Sequence, residues 1–171
     1  MNSVLREEKK FLINVDEFIA LSGKLENVLH ADPHNGTHGY TVRSLYFDTL
    51  YDRDFFEKQA GVELRRKIRL RCYDPKADYA MLEIKQKQGS NQLKRSLKLK
   101  REHAARLTLG DYSPLLLYSE PFAAECYALM HTHCYLPKTV VEYNRKAYIA
   151  KENKIRITFD NRIVSTESCF D

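Results

Sequence analysis

Hydrophobic and polar positions alternate with a period of two along much of this chain. In Arg65-Arg66-Lys67-Ile68-Arg69-Leu70-Arg71, the residues Arg65, Lys67, Arg69 and Arg71 share one side of a strand, with Ile68, Leu70 and Cys72 on the other, because successive side chains point to opposite faces. The same alternation sets Glu83, Lys85 and Lys87 against Leu82 and Ile84, and Arg156, Thr158 and Asp160 against Ile155, Ile157 and Phe159. Arg6, Glu8 and Lys10 alternate ahead of Phe11-Leu12-Ile13. Near residue 45, Ser44, Tyr46 and Asp48 take one face and Arg43, Leu45 and Phe47 the other. Strands are predicted over residues 4–14, 41–48, 61–73, 79–88, 93–99, 138–149 and 154–163. Turn chemistry at Asp74-Pro75-Lys76 and Gly89-Ser90-Asn91 separates three of them.

Between the strands the period changes. After Asp16, the residues Phe18, Ile19, Leu21, Leu25, Val28 and Leu29 recur near helical spacing. Residues 51–60 read as a linker with helical character, and 101–109 as a helix. A further helix, opened by Pro114 or by Glu120-Pro121, runs to about His131. Residues 30–39 form a turn-rich loop whose three histidines read as solvated. No solenoid repeat and no dividing linker interrupts the pattern, so residues 1–171 are expected to form a single domain. The class is α+β, about seven mainly antiparallel strands with inserted helices.

Composition narrows the chemistry. A net charge of +5, with charged residues at 30%, permits an anionic partner without naming one. The patterning goes further. Buried like charges repel and are costly to desolvate, so a row of cations beside a clean apolar row calls for a polyanion. Cations mixed with a few carboxylates suit phosphates and a divalent metal. No apolar run is long enough to cross a bilayer and no secretory core opens the chain, so a cytoplasmic location is the default expectation. The four cysteines form no C-x-x-C pair and are expected to be reduced. His131-Thr132-His133-Cys134, with Cys126 upstream, matches no standard zinc spacing; it reads as a helix terminus with surface histidines and core cysteines. Neither a Walker loop nor Gly-x-Ser-x-Gly is present. Single-stranded nucleic acid would want aromatics interleaved with the cations, and the basic strand leads only to Tyr73, so no nucleic-acid partner is expected. Lys98 and Lys100 read as solvated guards of a strand edge, and Tyr143 and Tyr148 as packing residues.

Six blocks then resemble, in order, those of the polyphosphate polymerase (VTC) domain of the triphosphate tunnel metalloenzymes. They are Arg6-x-Glu8-x-Lys10; Ser44-Leu45-Tyr46-Phe47-Asp48; Gly61 followed by residues 66–73; Leu82-Glu83-Ile84-Lys85-Gln86-Lys87 with Lys94-Arg95; Tyr143-Asn144-Arg145-Lys146-Ala147-Tyr148; and Ile155-Arg156-Ile157-Thr158-Phe159-Asp160. The resemblance implies an antiparallel β-barrel lined by charged side chains, and a barrel also alternates interior with exterior residues. It implies ATP and inorganic polyphosphate as substrates, Mn²⁺ or Mg²⁺ as cofactor, and a membrane-protein partner acting in trans. Phosphate ligands would be Arg6, Lys10, Lys67, Arg69, Arg71, Lys85, Lys87, Lys94, Arg145 and Arg156, with Lys67, Arg69, Arg71 and Lys85 at the reacting phosphoryl group. Glu8, Glu83 and Asp160 would be the carboxylates near the metal. The family continues to a last strand bearing a Glu and a Lys, whereas this sequence ends at Asp171. The expectation is therefore a truncated or open barrel and a weakened polymerase. A triphosphate hydrolase of the same fold and a non-catalytic polyphosphate or nucleotide sensor are the alternatives.

Overall fold

Alternation at the level of sequence becomes pleat in the computed structural model. In chain order the elements are β1 (Asn2–Arg6), α1 (Val15–Val28), β2 (His30–Ala31), β3 (Tyr40–Thr49), α2 (Arg53–Gln59), β4 (Leu64–Cys72), β5 (Tyr79–Gln88), β6 (Asn91–Lys100), α3 (Arg101–Thr108), a 3₁₀ helix (Ser113–Leu117), α4 (Pro121–Thr132), β7 (Tyr135–Ala150) and β8 (Ile155–Thr166). The structure describes all residues except Met1, Glu7, Ser90, Lys154, Cys169 and Asp171, and of Asn2–Arg6 the backbone alone. The Arg6 side chain, expected to bind phosphate, lies outside the described residues, as does Cys169. The chain divides into two compact units, one of Met1–Glu8, Arg43–Val141 and Ser165–Asp171, the other of Lys9–Val42 and Glu142–Val164.

In the first unit the strands lie in the order β1-β6-β5-β4-β3, every neighbouring pair antiparallel. One face is aliphatic: Leu45, Phe47, Ile68, Leu70, Leu82, Ile84, Leu97 and Leu99 are buried with Leu107 of α3, Leu115 of the 3₁₀ helix, and Phe122 and Met130 of α4. Arg95 is a cation on this side, as register also makes Arg43 and Arg66. The Arg95 guanidinium lies 4.8 Å over the Phe122 ring and donates from both terminal nitrogens to Glu125 of α4, at 2.5 and 2.6 Å. At the end of β3, the Asp48 carboxylate accepts backbone N–H bonds from Thr49, Asp54 and Phe55, and so caps α2.

In the second unit β2 and β8 both pair with β7. Asn35 extends that ladder from a loop: its amide donates to the Ala147 carbonyl at 2.7 Å and accepts from the Ala147 N–H at 2.9 Å. Gly39 sits at φ +92°, and a Cβ there would meet the Arg145 carbonyl oxygen at 2.4 Å, so a side chain is excluded on two counts. Helix α1 opens with a capping box in which Asn14 and Glu17 each bond the other's backbone N–H at 2.8 Å. The amphipathic face expected of this helix is mostly bare. Phe18 packs edge-on to Phe159 at 5.1 Å, but Ile19, Leu21 and Val28 are exposed.

The predicted strand over 4–14 is the main correction. β1 stops at Arg6, and residues 8–14 carry no strand, with Phe11 and Leu12 exposed. The reason lies in the partner. Arg6 stands opposite Gln92 and β6 begins at Asn91, so a longer β1 would have nothing to pair with.

Candidate functional site

The second face of β3–β6 carries the cations, and strand register arranges them in rows. Tyr46, Arg69, Glu83 and Ser96 stand opposite one another in succession, as do Ser44, Arg71, Met81 and Lys98. Lys67, Lys85 and Lys94 form a third row, and Arg65, Lys87 and Gln92 a fourth, with Arg6 opposite Gln92. Directly opposed like charges destabilise a sheet. Here Lys85 pairs with Glu8, and Lys94 with Glu83.

Depth separates these groups. Glu83 keeps 1% of its side chain exposed, Arg71 6% and Arg69 14%, whereas Lys85 and Lys94 keep 28% and 27%. The inner layer is held by a network. Arg69 donates from Nε to Glu83 Oε2 at 2.7 Å and from Nη1 to the Tyr46 hydroxyl at 3.3 Å. Arg71 Nε donates to Ser44 Oγ at 3.0 Å, and its Nη1 is 4.0 Å from Glu83 Oε2. Burial alone would raise the Glu83 carboxyl, but Arg69, Lys94 and Arg71 outweigh it and hold its pKa below the ordinary value. The Tyr46 phenol behaves alike: burial opposes its ionisation, yet Arg69, Arg71 and Lys67 draw its pKa down. In these rows the cations outnumber the carboxylates. Lys85 and Lys94 are the more exposed cations bordering this buried network.

The remaining expected residues lie in the second unit. Arg145 forms a two-pronged pair with Asp160, both bonds 2.7 Å. Burial works against its charge and the Asp160 bonds favour it; the net effect raises its pKa. Arg156 donates to Asp32 at 2.6 Å and to the Tyr40 hydroxyl at 2.8 Å. Lys10 lies beyond β1, exposed, and not on the strand that sequence alternation gave it. Tyr143 and Tyr148 are buried, Tyr148 edge-on to Phe159 at 6.1 Å. Lys98 and Lys100 are exposed on the part of β6 that β1 does not reach. Cys126 is buried and its thiol pushed up to about 12 by burial; Cys134, expected in the core, is exposed. Sequence reasoning missed the partners rather than the cations: Ser44 under Arg71, and Asp32 and Tyr40 under Arg156. The alternation of Ser44 and Tyr46 was a usable signal, but the pairing of Arg69 with Glu83 needs register, which alternation does not supply.

An antiparallel sheet with helices on its aliphatic face and paired cations on the other is the architecture of triphosphate tunnel proteins, and solved structures agree. A candidate adenylate cyclase of Bacillus halodurans superposes with a TM-score of 0.51 at 10% identity, over 94% of this chain and 79% of that one. A candidate adenylyl cyclase of Hippeastrum, described as having a dominant triphosphatase activity, superposes with a TM-score of 0.54 at 16% identity, over 92% and 70%. A model of the VTC domain family matches residues 5–170, and the chain belongs to that family. No match to a curated protein was found.

Divalent-metal dependence goes with triphosphate tunnel metalloenzymes. A hard cation wants several open oxygen ligands. Among the described residues no group of three or more His, Cys, Asp or Glu side chains could hold a metal ion. Glu8 is bound to Lys85, Glu83 to Arg69 and Lys94, and Asp160 to Arg145. As arranged, this donor set does not fit a resident divalent ion.

Proposed function

We propose that this VTC domain binds the phosphate chain of ATP or a triphosphate on the cationic face of β3–β6 and transfers the γ-phosphoryl to inorganic polyphosphate. The row Lys67, Lys85 and Lys94 beside Arg69 and Arg71 is the observation that best supports this reading. Arg offers fork-shaped donors for phosphate oxygens and Lys a compact point charge. Phosphoryl transfer asks mainly for positioning and charge stabilisation, the roles we assign to Lys67, Arg69, Arg71 and Lys85. Arg6, Lys87 and Lys94 would extend the phosphate track. Arg145 and Arg156 are proposed as phosphate ligands of the second unit, exchanging Asp160 and Asp32 for phosphate. Mn²⁺ or Mg²⁺ would enter as the counter-ion of the nucleotide.

Triphosphate hydrolysis is the second reading, favoured by the structural likeness to the Hippeastrum protein. Incubation with ATP and Mn²⁺ separates the two: a polyphosphate ladder on a gel supports transfer, and free phosphate without a ladder supports hydrolysis. Binding is tested by calorimetric titration with tripolyphosphate. Lys67→Ala should weaken it about tenfold or more, the loss of one charged hydrogen bond of roughly 1.5–3 kcal/mol. No binding by the wild-type chain at millimolar tripolyphosphate would remove both readings.

A further inference from the structure

Glu83 lies at the centre of the cationic face, and both of its oxygens are already taken. Oε2 accepts from Arg69 Nε at 2.7 Å, stands 2.6 Å from Arg69 Nη2 and is 4.0 Å from Arg71 Nη1. Oε1 holds the Lys94 ammonium. Metal-ligating carboxylates gather with one another around the cation they bind. This one is gathered among cations.

We propose that Glu83 is the fixed counter-charge of the face, a positioning residue that holds Arg69 and Lys94 where phosphate oxygens meet them, and that it ligates no metal. The phosphate half of this statement rests on the proposed function; the counter-charge half does not. With one edge of Arg69 pinned on Glu83, its Nη1 is turned to the Tyr46 hydroxyl, so the fork is oriented before any ligand arrives. The negative charge of Glu83 on β5 also lets Arg69 and Arg71 of β4 and Lys94 of β6 converge on it from either side. A bound phosphate would add to this arrangement without having to build it.

The two roles predict opposite signs in metal-free buffer. Removing a metal ligand relieves repulsion between carboxylates and leaves the metal-free protein as stable or more so. Removing a counter-charge strands buried cations and destabilises it. In EDTA, Glu83→Gln should lower the melting temperature by roughly 10 °C. The double variant Glu83→Gln/Lys94→Gln should recover part of that loss, because one stranded cation is gone. Tripolyphosphate in EDTA should raise the melting temperature of Glu83→Gln less than that of wild type, since Arg69 and Lys94 are no longer held where phosphate oxygens meet them. An unchanged or higher melting temperature for Glu83→Gln in EDTA, with loss of the wild-type response to Mn²⁺, overturns the proposal. If Glu83→Gln does not fold, Lys94→Gln decides. A response to Mn²⁺ alone equal to wild type is expected, and a larger one, from a freed carboxylate, overturns the proposal. If tripolyphosphate moves no variant while Glu83→Gln is destabilised, the counter-charge stands and the phosphate-binding reading falls.

Discussion

Asp54 is 4% exposed and accepts the Tyr135 hydroxyl on both carboxylate oxygens, at 3.0 and 2.9 Å. Burial is the main cause that pushes its pKa from the ordinary 3.8 to about 6; the Tyr135 bond opposes this and the nearby Asp48 adds to it. A carboxyl whose pKa is raised in the folded state contributes stability that is complete below the unfolded pKa. That stability is lost as pH rises through the folded value. Wild-type stability should therefore fall between about pH 4 and pH 6 by up to about 3 kcal/mol from this residue, the span between 3.8 and about 6. Asp54→Asn keeps an acceptor for Tyr135 and removes the charge. It should be more stable than wild type at pH 7.5 and no more stable at pH 3.5, by chemical denaturation followed by circular dichroism. A stability difference that is the same at both pH values would show that Asp54 does not titrate in this range.

At the scale of elements, local signals were legible where a residue's own neighbours decide its structure. β4, β5 and β6 announce themselves because Ile68, Leu70, Leu82, Ile84, Leu97 and Leu99 must all reach one buried layer, which fixes a period of two. The cationic residues of those strands were legible for the same reason. What was hidden depends on partners far along the chain. The end of β1 is set by where β6 begins, and the pairing of Arg69 with Glu83 by register. Helix α1 shows the limit from the other side: its apolar spacing was read correctly as a helix, yet spacing alone did not reveal that Ile19 and Val28 stay exposed. With so little packing behind it, α1 should lean on its cap. Asn14→Ala breaks the capping box and should cost about 1 kcal/mol. Faster amide hydrogen exchange confined to the first turns of α1 is the expected readout, and exchange equal to wild type would mean that tertiary contacts hold the helix start.

The molecule as a whole carries a net charge of +5. The rows on β3–β6 concentrate part of that excess on one face of the first unit. Attraction between such a face and a polyphosphate is screened over about 10 Å at 0.1 M salt and about 3 Å at 1 M. Raising salt from 0.05 to 0.5 M should weaken tripolyphosphate binding at least tenfold by calorimetry; an affinity indifferent to salt would point to recognition by neutral groups instead. The basic row on β4 has a consequence during folding as well. If β4 slipped by one residue against β3 and β5, the side chains of Arg65, Lys67, Arg69 and Arg71 would be driven into the aliphatic layer while Ile68 and Leu70 were expelled. Such a misaligned sheet is far less stable than the aligned one. The cationic row of β4 thus also penalises an off-by-one pairing of the sheet.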